Sequence, residues 1–329
     1  HSGWDWAPRF LTAGIWRPVR LELWRGARIE DLRVVTRSIS PGRADCEAIV
    51  EFLSASALDA ELSLRIDGTD DPVPSRAVFL AAGLDTVTIP FAIDEPRLWW
   101  CNGLGEPFLY EARIEARAAD GRLIDDAGRR FGVRTVELAT DPDEAGESFF
   151  FRLNGRPVFA RGANHVPADC FIPRAAPERI EALVDDAAAA NMNMLRVWGG
   201  GVYEDDAFYD RCDERGILVW QDFMFACAMY PGGEAFSRSV EAEAADNIRR
   251  LRGHPCIALW CGNNEIAEGW RNWGWKDPYD DETRNAIEAD YDALFHRLLP
   301  GLVRRHHPGA AYVASSPRFG RADPRSLAE

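Results

Sequence analysis

Apolar and polar positions change their rhythm once along this chain. Between residues 27 and 138 they alternate in short segments, at residues 29–35, 46–53, 58–66, 87–93, 108–118 and 131–138, with Gly, Pro and Asp clusters between them. Several period-two segments at this spacing, with no helical period among them, predict an antiparallel β-sandwich of roughly a hundred residues. The stretch before it is too short for a domain. It closes on one expected strand, residues 18–23, and reads as the tail of a unit whose bulk lies upstream.

After an acidic linker expected at 141–147 the pattern changes. Short apolar runs at 158–161, 194–197, 217–220, 257–260 and 312–314 alternate with helical segments. The first helix starts at Pro177 and places Ile180, Leu183, Val184, Ala187 and Ala188 on one face. A second runs from about Asp205 and stops at Gly216, a suitable residue just past a helix end. A third is expected over 239–252, and a long helical stretch carries Ile287, Tyr291, Leu294, Phe295 and Leu298 to Pro300 and beyond. Strand and helix alternate with the repeat of a β/α barrel, but five strands are present where a closed barrel needs about eight. The expected organisation is therefore 1–25, 26–139 and 140–329, the last a truncated barrel.

At 329 residues the chain exceeds the usual size of one domain, and 47% hydrophobic with 28% charged residues describes a globular protein with ample core. A formal net charge of −15 argues against nucleic acid and anionic membranes as partners. No apolar run approaches the length of a membrane span. Lys276 is the only lysine among 38 basic residues, a bias of the kind a GC-rich bacterial genome produces. The seven cysteines are scattered, with no Cys-x-x-Cys pair. Reduced thiols in a cytoplasmic compartment are the simplest account, and neither a metal site nor a cofactor is expected.

The candidate chemistry sits in Cys261-Gly262-Asn263-Asn264-Glu265, directly after the apolar run Ile257-Ala258-Leu259-Trp260. Barrel enzymes keep their chemistry at the C-terminal ends of such strands. An acid preceded by an amide suits glycoside cleavage: Glu265 would protonate the leaving oxygen and Asn264 would hold a sugar hydroxyl. An ordinary strand-to-helix loop with a solvated acid and a capping Asn would leave the same pentapeptide.

Longer motifs carry a resemblance that runs along nearly the whole chain. His1-Ser2-Gly3-Trp4-Asp5-Trp6-Ala7-Pro8-Arg9 with Gly14-Ile15-Trp16-Arg17-Pro18, then Leu98-Trp99-Trp100-Cys101-Asn102-Gly103 and Phe131-Gly132-Val133-Arg134-Thr135, are similar to motifs of the β-mannosidases of glycoside hydrolase family 2. So are Gly162-Ala163-Asn164, Leu195-Arg196-Val197-Trp198-Gly199-Gly200-Gly201-Val202-Tyr203-Glu204 and Trp260 to Glu265. The resemblance implies the tail of a jelly-roll sugar-binding domain, an immunoglobulin-like β-sandwich and the N-terminal part of a (β/α)8 TIM barrel. It implies a retaining exo-hydrolase acting on terminal, non-reducing β-linked mannose, with a β-mannoside as partner. A β-galactosidase or β-glucuronidase of the same family, or a sugar-binding fragment without catalysis, are the alternatives. Ala7, where the family usually has Gly, is a small departure.

By that resemblance Glu265 is the general acid/base, and the nucleophilic carboxylate lies on a later strand outside this chain. Asn264 is expected on the sugar 2-hydroxyl and Trp198 lining the sugar site. Arg196, two residues before Trp198, is expected to hydrogen-bond the nucleophile, a structural ion pair being its alternative. Asp5, between Trp4 and Trp6, would accept from the 4- and 6-hydroxyls. Trp273 would stand at the pocket edge, and Trp260, Trp270 and Trp273 would lower the dielectric around Glu265. For Glu204 and Asp222, also near strand ends, structural roles are favoured over catalytic ones.

Overall fold

A computed structural model of the chain describes residues 8, 10, 13–69, 73–144 and 146–318. Its first part is a pair of antiparallel sheets made from β1 (Ala27–Ser40), β2 (Arg43–Ser54), β3 (Leu58–Asp67), β4 (Arg76–Leu80), β5 (Gly83–Asp94), β6 (Tyr110–Ala118) and β7 (Leu123–Phe131). One sheet has the order β1-β2-β5, the other β4-β3-β6-β7. Alternate residues face inward, as period two requires: Ala60, Leu62, Leu64 and Ile66 of β3 and Tyr110, Ala112, Ile114 and Ala116 of β6 join Ala48, Val50 and Phe52 of β2 in one core. Two strands differ from expectation. β4 was not legible, and the run expected at 131–138 divides, because Phe131 ends β7 while β8 (Val136–Ala139) opens another sheet. β4 and β7 are edge strands with one solvated face, so their apolar signal is weak.

β8 pairs with β9 (Phe150–Leu153), which pairs with β10 (Arg156–Val158), all antiparallel. The acidic stretch 141–147 is therefore a hairpin connection and not a linker. Its backbone closes on itself through Ser148 N–H to the Asp141 carbonyl (2.9 Å) and Asp143 N–H to the Gly146 carbonyl (2.8 Å).

A parallel β/α segment follows. Its strands β11 (Gly162–His165), β12 (Met194–Val197), β13 (Leu218–Asp222), β14 (Ile257–Cys261) and β15 (Ala311–Val313) lie side by side in chain order. The helices between them are α1 (Pro177–Ala189), α2 (Asp206–Arg215), α3 (Glu234–Leu251), α4 (Ile266–Asn272), α5 (Asp281–Tyr291) and α6 (Leu299–His306), the last two joined by a π-helical stretch, Asp292–Leu298. α2 starts on an Asp205 cap and stops at Gly216 in the left-handed region, φ 68°. α3 begins five residues before its expected start.

The first parallel strand is displaced from its expected place. Val158 ends the β9–β10 hairpin, Phe159 is 83% exposed, and the strand is Gly162–His165. A Cβ on Gly162 would lie 1.8 Å from the Met194 carbonyl oxygen, so only a residue without a side chain fits there, and hydrophobicity could not mark the strand. The strand expected at 18–23 is not formed. Val19, Leu21 and Leu23 are exposed, and among the described residues no strand pairs with them.

The sandwich is held against the parallel segment by polar contacts. Arg252 on the loop after α3 reaches Asp31 (2.5 Å) and Glu51 (2.6 Å). The Trp99 indole donates to the Asp213 carbonyl (2.8 Å), and Arg134 donates to the carbonyls of Pro255 (3.0 Å) and Ile257 (2.7 Å).

Candidate active site

All five residues of β14 are buried, and the chain turns polar where the strand ends. Asn263, fully buried, is committed to holding that turn. Its Nδ2 donates to the Ala314 carbonyl (2.8 Å) and the Tyr291 hydroxyl (3.3 Å), while its Oδ1 accepts from Ser315 (2.7 Å) and from Ile266 N–H at the start of α4 (3.1 Å). Asn263 therefore serves the helix start, and Asn264 is left for other work. Glu265 N–H donates to the Ser316 carbonyl (2.8 Å), and Asn264 N–H to that of Phe225 (2.9 Å), so neighbouring strand-end loops grip the segment from both sides. Glu265 itself has φ 61°, the left-handed region that a non-glycine residue enters at a cost.

Asp222, at the end of β13, has no exposed surface. Arg196 of β12 grips it with Nη2 to Oδ2 (2.7 Å) and Nε to Oδ1 (3.2 Å), and Gly199 N–H and the Trp220 indole each add a bond at 3.0 Å. Burial pushes the Asp222 carboxyl above its ordinary range, and Arg196 opposes that push. For Arg196, burial is the largest influence and pulls downward, but the Asp222 charge and hydrogen bonds leave it above its usual value. The same guanidinium donates from Nη2 to Asn264 Oδ1 (2.8 Å) and from Nη1 to Asn164 Oδ1 (3.2 Å). The bond from Arg196 fixes the amide orientation of Asn264. Its Nδ2 is then turned to Glu265 Oε2 (3.2 Å) and to the Cys227 sulfur (3.3 Å).

Four of the predicted residues thus stand at the C-terminal ends of two strands of one parallel sheet with β13 between them: Arg196 in β12 and Trp198 just after it, Asn264 and Glu265 after β14. Arg196, Asn264 and Glu265 form one hydrogen-bonded chain. Trp198 is 8% exposed, and its indole lies over Gly200, where a Cβ would meet the ring at 1.8 Å. A Cβ on Gly199 would meet the Phe225 and Phe223 carbonyl oxygens at 2.6 and 2.7 Å. These glycines serve close approach, since neither has a positive φ. Trp273 ends α4, 48% exposed, with an edge contact to Trp275. Trp260 and Trp270 are spent elsewhere: one indole donates to His307 Nδ1 (3.2 Å), the other to Glu288 (2.7 Å). Asp5 lies outside the described residues. Nearby, Arg17 donates to the Tyr203 carbonyl (2.6 Å) and Phe10 stacks on Phe171 (4.9 Å), so the preceding stretch touches the strand-end loops. Glu204 is paired with His165 (2.8 Å), both buried. Cys227 was not anticipated, because it sits five residues past β13 in a loop without periodicity.

A candidate metal cluster, Asp213, His254 and Cys256, lies at the opposite, N-terminal end of β14. Its groups satisfy one another: His254 Nδ1 is 2.7 Å from Asp213, whose other oxygen accepts from Cys256 N–H (2.9 Å).

Comparison with known proteins gives this arrangement a class. Residues 27–134 match the model of Glycosyl hydrolases family 2, and the chain belongs to that family. Among its relatives there are β-mannosidases. It is 40% identical over 324 residues to Beta-mannosidase B of Aspergillus oryzae, covering 96% of this chain and 38% of that protein. The protein of the same name from Aspergillus terreus is 39% identical over 323 residues, with 96% and 38% covered. The crystal structure of Beta-D-Mannosidase from Dictyoglomus thermophilum superposes with a TM-score of 0.88 at 41% identity, over 97% of this chain and 38% of that one. The chain thus spans about two fifths of the length of these relatives. The exo-chitosanase CsxA of Amycolatopsis orientalis, 20% identical with a TM-score of 0.70 over 88% of this chain and 32% of that one, shares the fold alone.

Proposed function

We propose that this chain carries the acid/base half of a retaining exo-β-mannosidase that removes terminal, non-reducing β-mannose. In this reading residues 1–25 end a jelly-roll domain, 26–139 are an immunoglobulin-like sandwich, and 140–329 supply the first five strands of a (β/α)8 barrel. One observation carries it. Among the described residues Glu265 has no ion pair, its partners being Asn264 and Cys227, whereas Asp222 is neutralised by Arg196. A carboxyl that must give and take a proton cannot be locked to a cation, and one that only holds its neighbours can.

Glu265 protonates the glycosidic oxygen as the first step opens the bond, then takes a proton from water as the glycosyl-enzyme is hydrolysed. The nucleophile is a second carboxylate about 5–5.5 Å away, on a later strand of the longer polypeptide. Asn264 has both Nδ2 hydrogens on Glu265 and Cys227, so its Oδ1, held by Arg196 through one lone pair, is the group that accepts from the sugar 2-hydroxyl. Arg196 has one Nη1 hydrogen unassigned among the described residues, and that hydrogen is the one directed at the nucleophile. Trp198 and Trp273 bound the sugar, and Asp5 takes its 4- and 6-hydroxyls.

The test uses the full-length polypeptide and Glu265→Gln. For 4-methoxyphenyl β-mannoside, whose leaving group needs a proton, kcat/KM is expected to fall about 10²–10⁴-fold. For 2,4-dinitrophenyl β-mannoside, which leaves unaided, kcat/KM stays near wild type, and azide restores kcat by yielding β-mannosyl azide. Equal losses on both substrates would sink the assignment. Faster hydrolysis of the matching galactoside or glucuronide would overturn the sugar.

A further inference from the structure

Glu265 Oε2 has a second neighbour besides Asn264. The Cys227 sulfur lies 3.5 Å from it and 3.3 Å from Asn264 Nδ2, so thiol, amide and carboxylate close a triangle. We propose that Cys227 is a positioning residue for Glu265, its S–H and the Asn264 amide clamping Oε2 so that Oε1 is presented to the glycosidic oxygen. The proposal rests on the reading of Glu265 as the acid/base.

The backbone is arranged to bring that sulfur there. Cys227 N–H donates to the Asn264 carbonyl (3.0 Å), and Ala226 and Asn264 form a parallel bridge, so the loop after β13 runs beside the catalytic segment. Cys227 adopts φ 48°, a conformation that Gly or Asn would take at lower cost. It is partly exposed, unlike Cys212, Cys256 and Cys261, which are packed in the core. A thiol held in a strained turn at the mouth, touching the acid, does something that a buried filler would not.

The thiol keeps its hydrogen at neutral pH. Burial pushes it above its ordinary value, the Asn264 bond opposes this, and the Glu265 charge and hydrogen bond add to the rise. The sulfur therefore accepts from Asn264 Nδ2 and donates to Oε2. Among the described residues Oε1 has no hydrogen-bond partner, which leaves it as the oxygen that carries the transferable proton. A weak S–H donor suits the task, because a charged donor would hold Glu265 ionised through the first step.

Cys227→Ala and Cys227→Ser in the full-length enzyme test this with the same two aryl β-mannosides. Losing one hydrogen bond to the acid is expected to lower kcat/KM on the methoxyphenyl substrate about three- to tenfold, and on the dinitrophenyl substrate less than about twofold. Serine, which also donates, restores most of the loss. A purely structural role would lower both substrates alike. Equal loss on both, no loss, or a serine variant no better than alanine overturns the proposal. Should the alanine variant fail to fold, Cys227→Gly, which also lacks the donor and suits the φ of 48°, takes its place under the same criteria. The two readings fail separately. A selective Glu265→Gln with an unselective Cys227→Ala removes only Cys227, and an unselective Glu265→Gln removes the acid/base itself.

Discussion

The sandwich and the parallel segment use apolar strands in opposite ways. In β3 and β6 every second side chain is buried and the others meet solvent, where Arg113 pairs with Glu111 and Arg117 with Glu115. In β14 no side chain is left for water, and polar groups are displaced to the strand's end. At the ends of β13 and β14 they are buried too: Asp222 and Asn263 are fully covered, and Asn264 is 5% exposed. Charged pairs on the sandwich surface are screened and contribute little. The same types of residue at the ends of the parallel strands sit where water cannot screen them, and each one fixes its neighbour.

The sharpest way to break this contrast is to neutralise one carboxylate in each region. Asp222→Asn leaves Arg196 buried beside an amide. It is expected to cost about 3–5 kcal/mol in urea unfolding and to release Asn264, lowering activity as well. Asp126→Asn, on the exposed face of β7, should leave the unfolding curve where it was. Equal effects would mean that strand-end burial does not set the difference.

A core deletion in the sandwich separates stability from chemistry. Leu62 has no exposed surface, so Leu62→Ala is expected to cost about 2–5 kcal/mol. Once the folded fraction is allowed for, kcat and KM should be unchanged. A change in leaving-group dependence would show that the two regions are not separable.

The effect that is smallest at neutral pH, and grows only on acidification, comes from the junction of the two. His307 Nδ1 accepts from the Trp260 indole, and burial first, then the guanidiniums of Arg134, Arg252 and Arg33, pushes its pKa down to about 3 from 6.5. The unfolded chain therefore takes up this proton before the folded one does. Stability from this group is whole above pH 6.5 and declines below it, by up to about 1.4 kcal/mol per pH unit, until the folded value is reached near 3. His307→Gln keeps an acceptor without the titration. The gap between wild type and variant should then shift steadily against wild type from pH 6.5 to 4, and a pH-independent gap would contradict the burial.

Legibility followed the same divide. β14, α1 and α2 could be placed because each carries a period or a terminator of its own: four apolar residues in a row, Pro177 at a start, Gly216 at a stop. β11 could not, because its strand begins on a glycine packed against a backbone oxygen and carries no apolar run. Residues 18–23 have the alternation of a strand, but alternation supplies no partner. Within the site, Glu265 and Asn264 stood out by following an apolar strand, and Arg196 by its spacing to Trp198. The bidentate grip of Arg196 on Asp222 spans 26 residues of chain, and the thiol of Cys227 lies 38 residues from Glu265. No local pattern encodes either contact.

What this chain determines by sequence alone is which segments seek burial and where each one turns polar, since burial is a property a residue carries by itself. Which polar group meets which is a property of pairs. It was decided only when parallel register set the ends of β12, β13 and β14 side by side. Asp222 was thereby paired with Arg196, Asn264 was turned by that guanidinium, and Glu265 was left, among the described residues, without a cation to hold it.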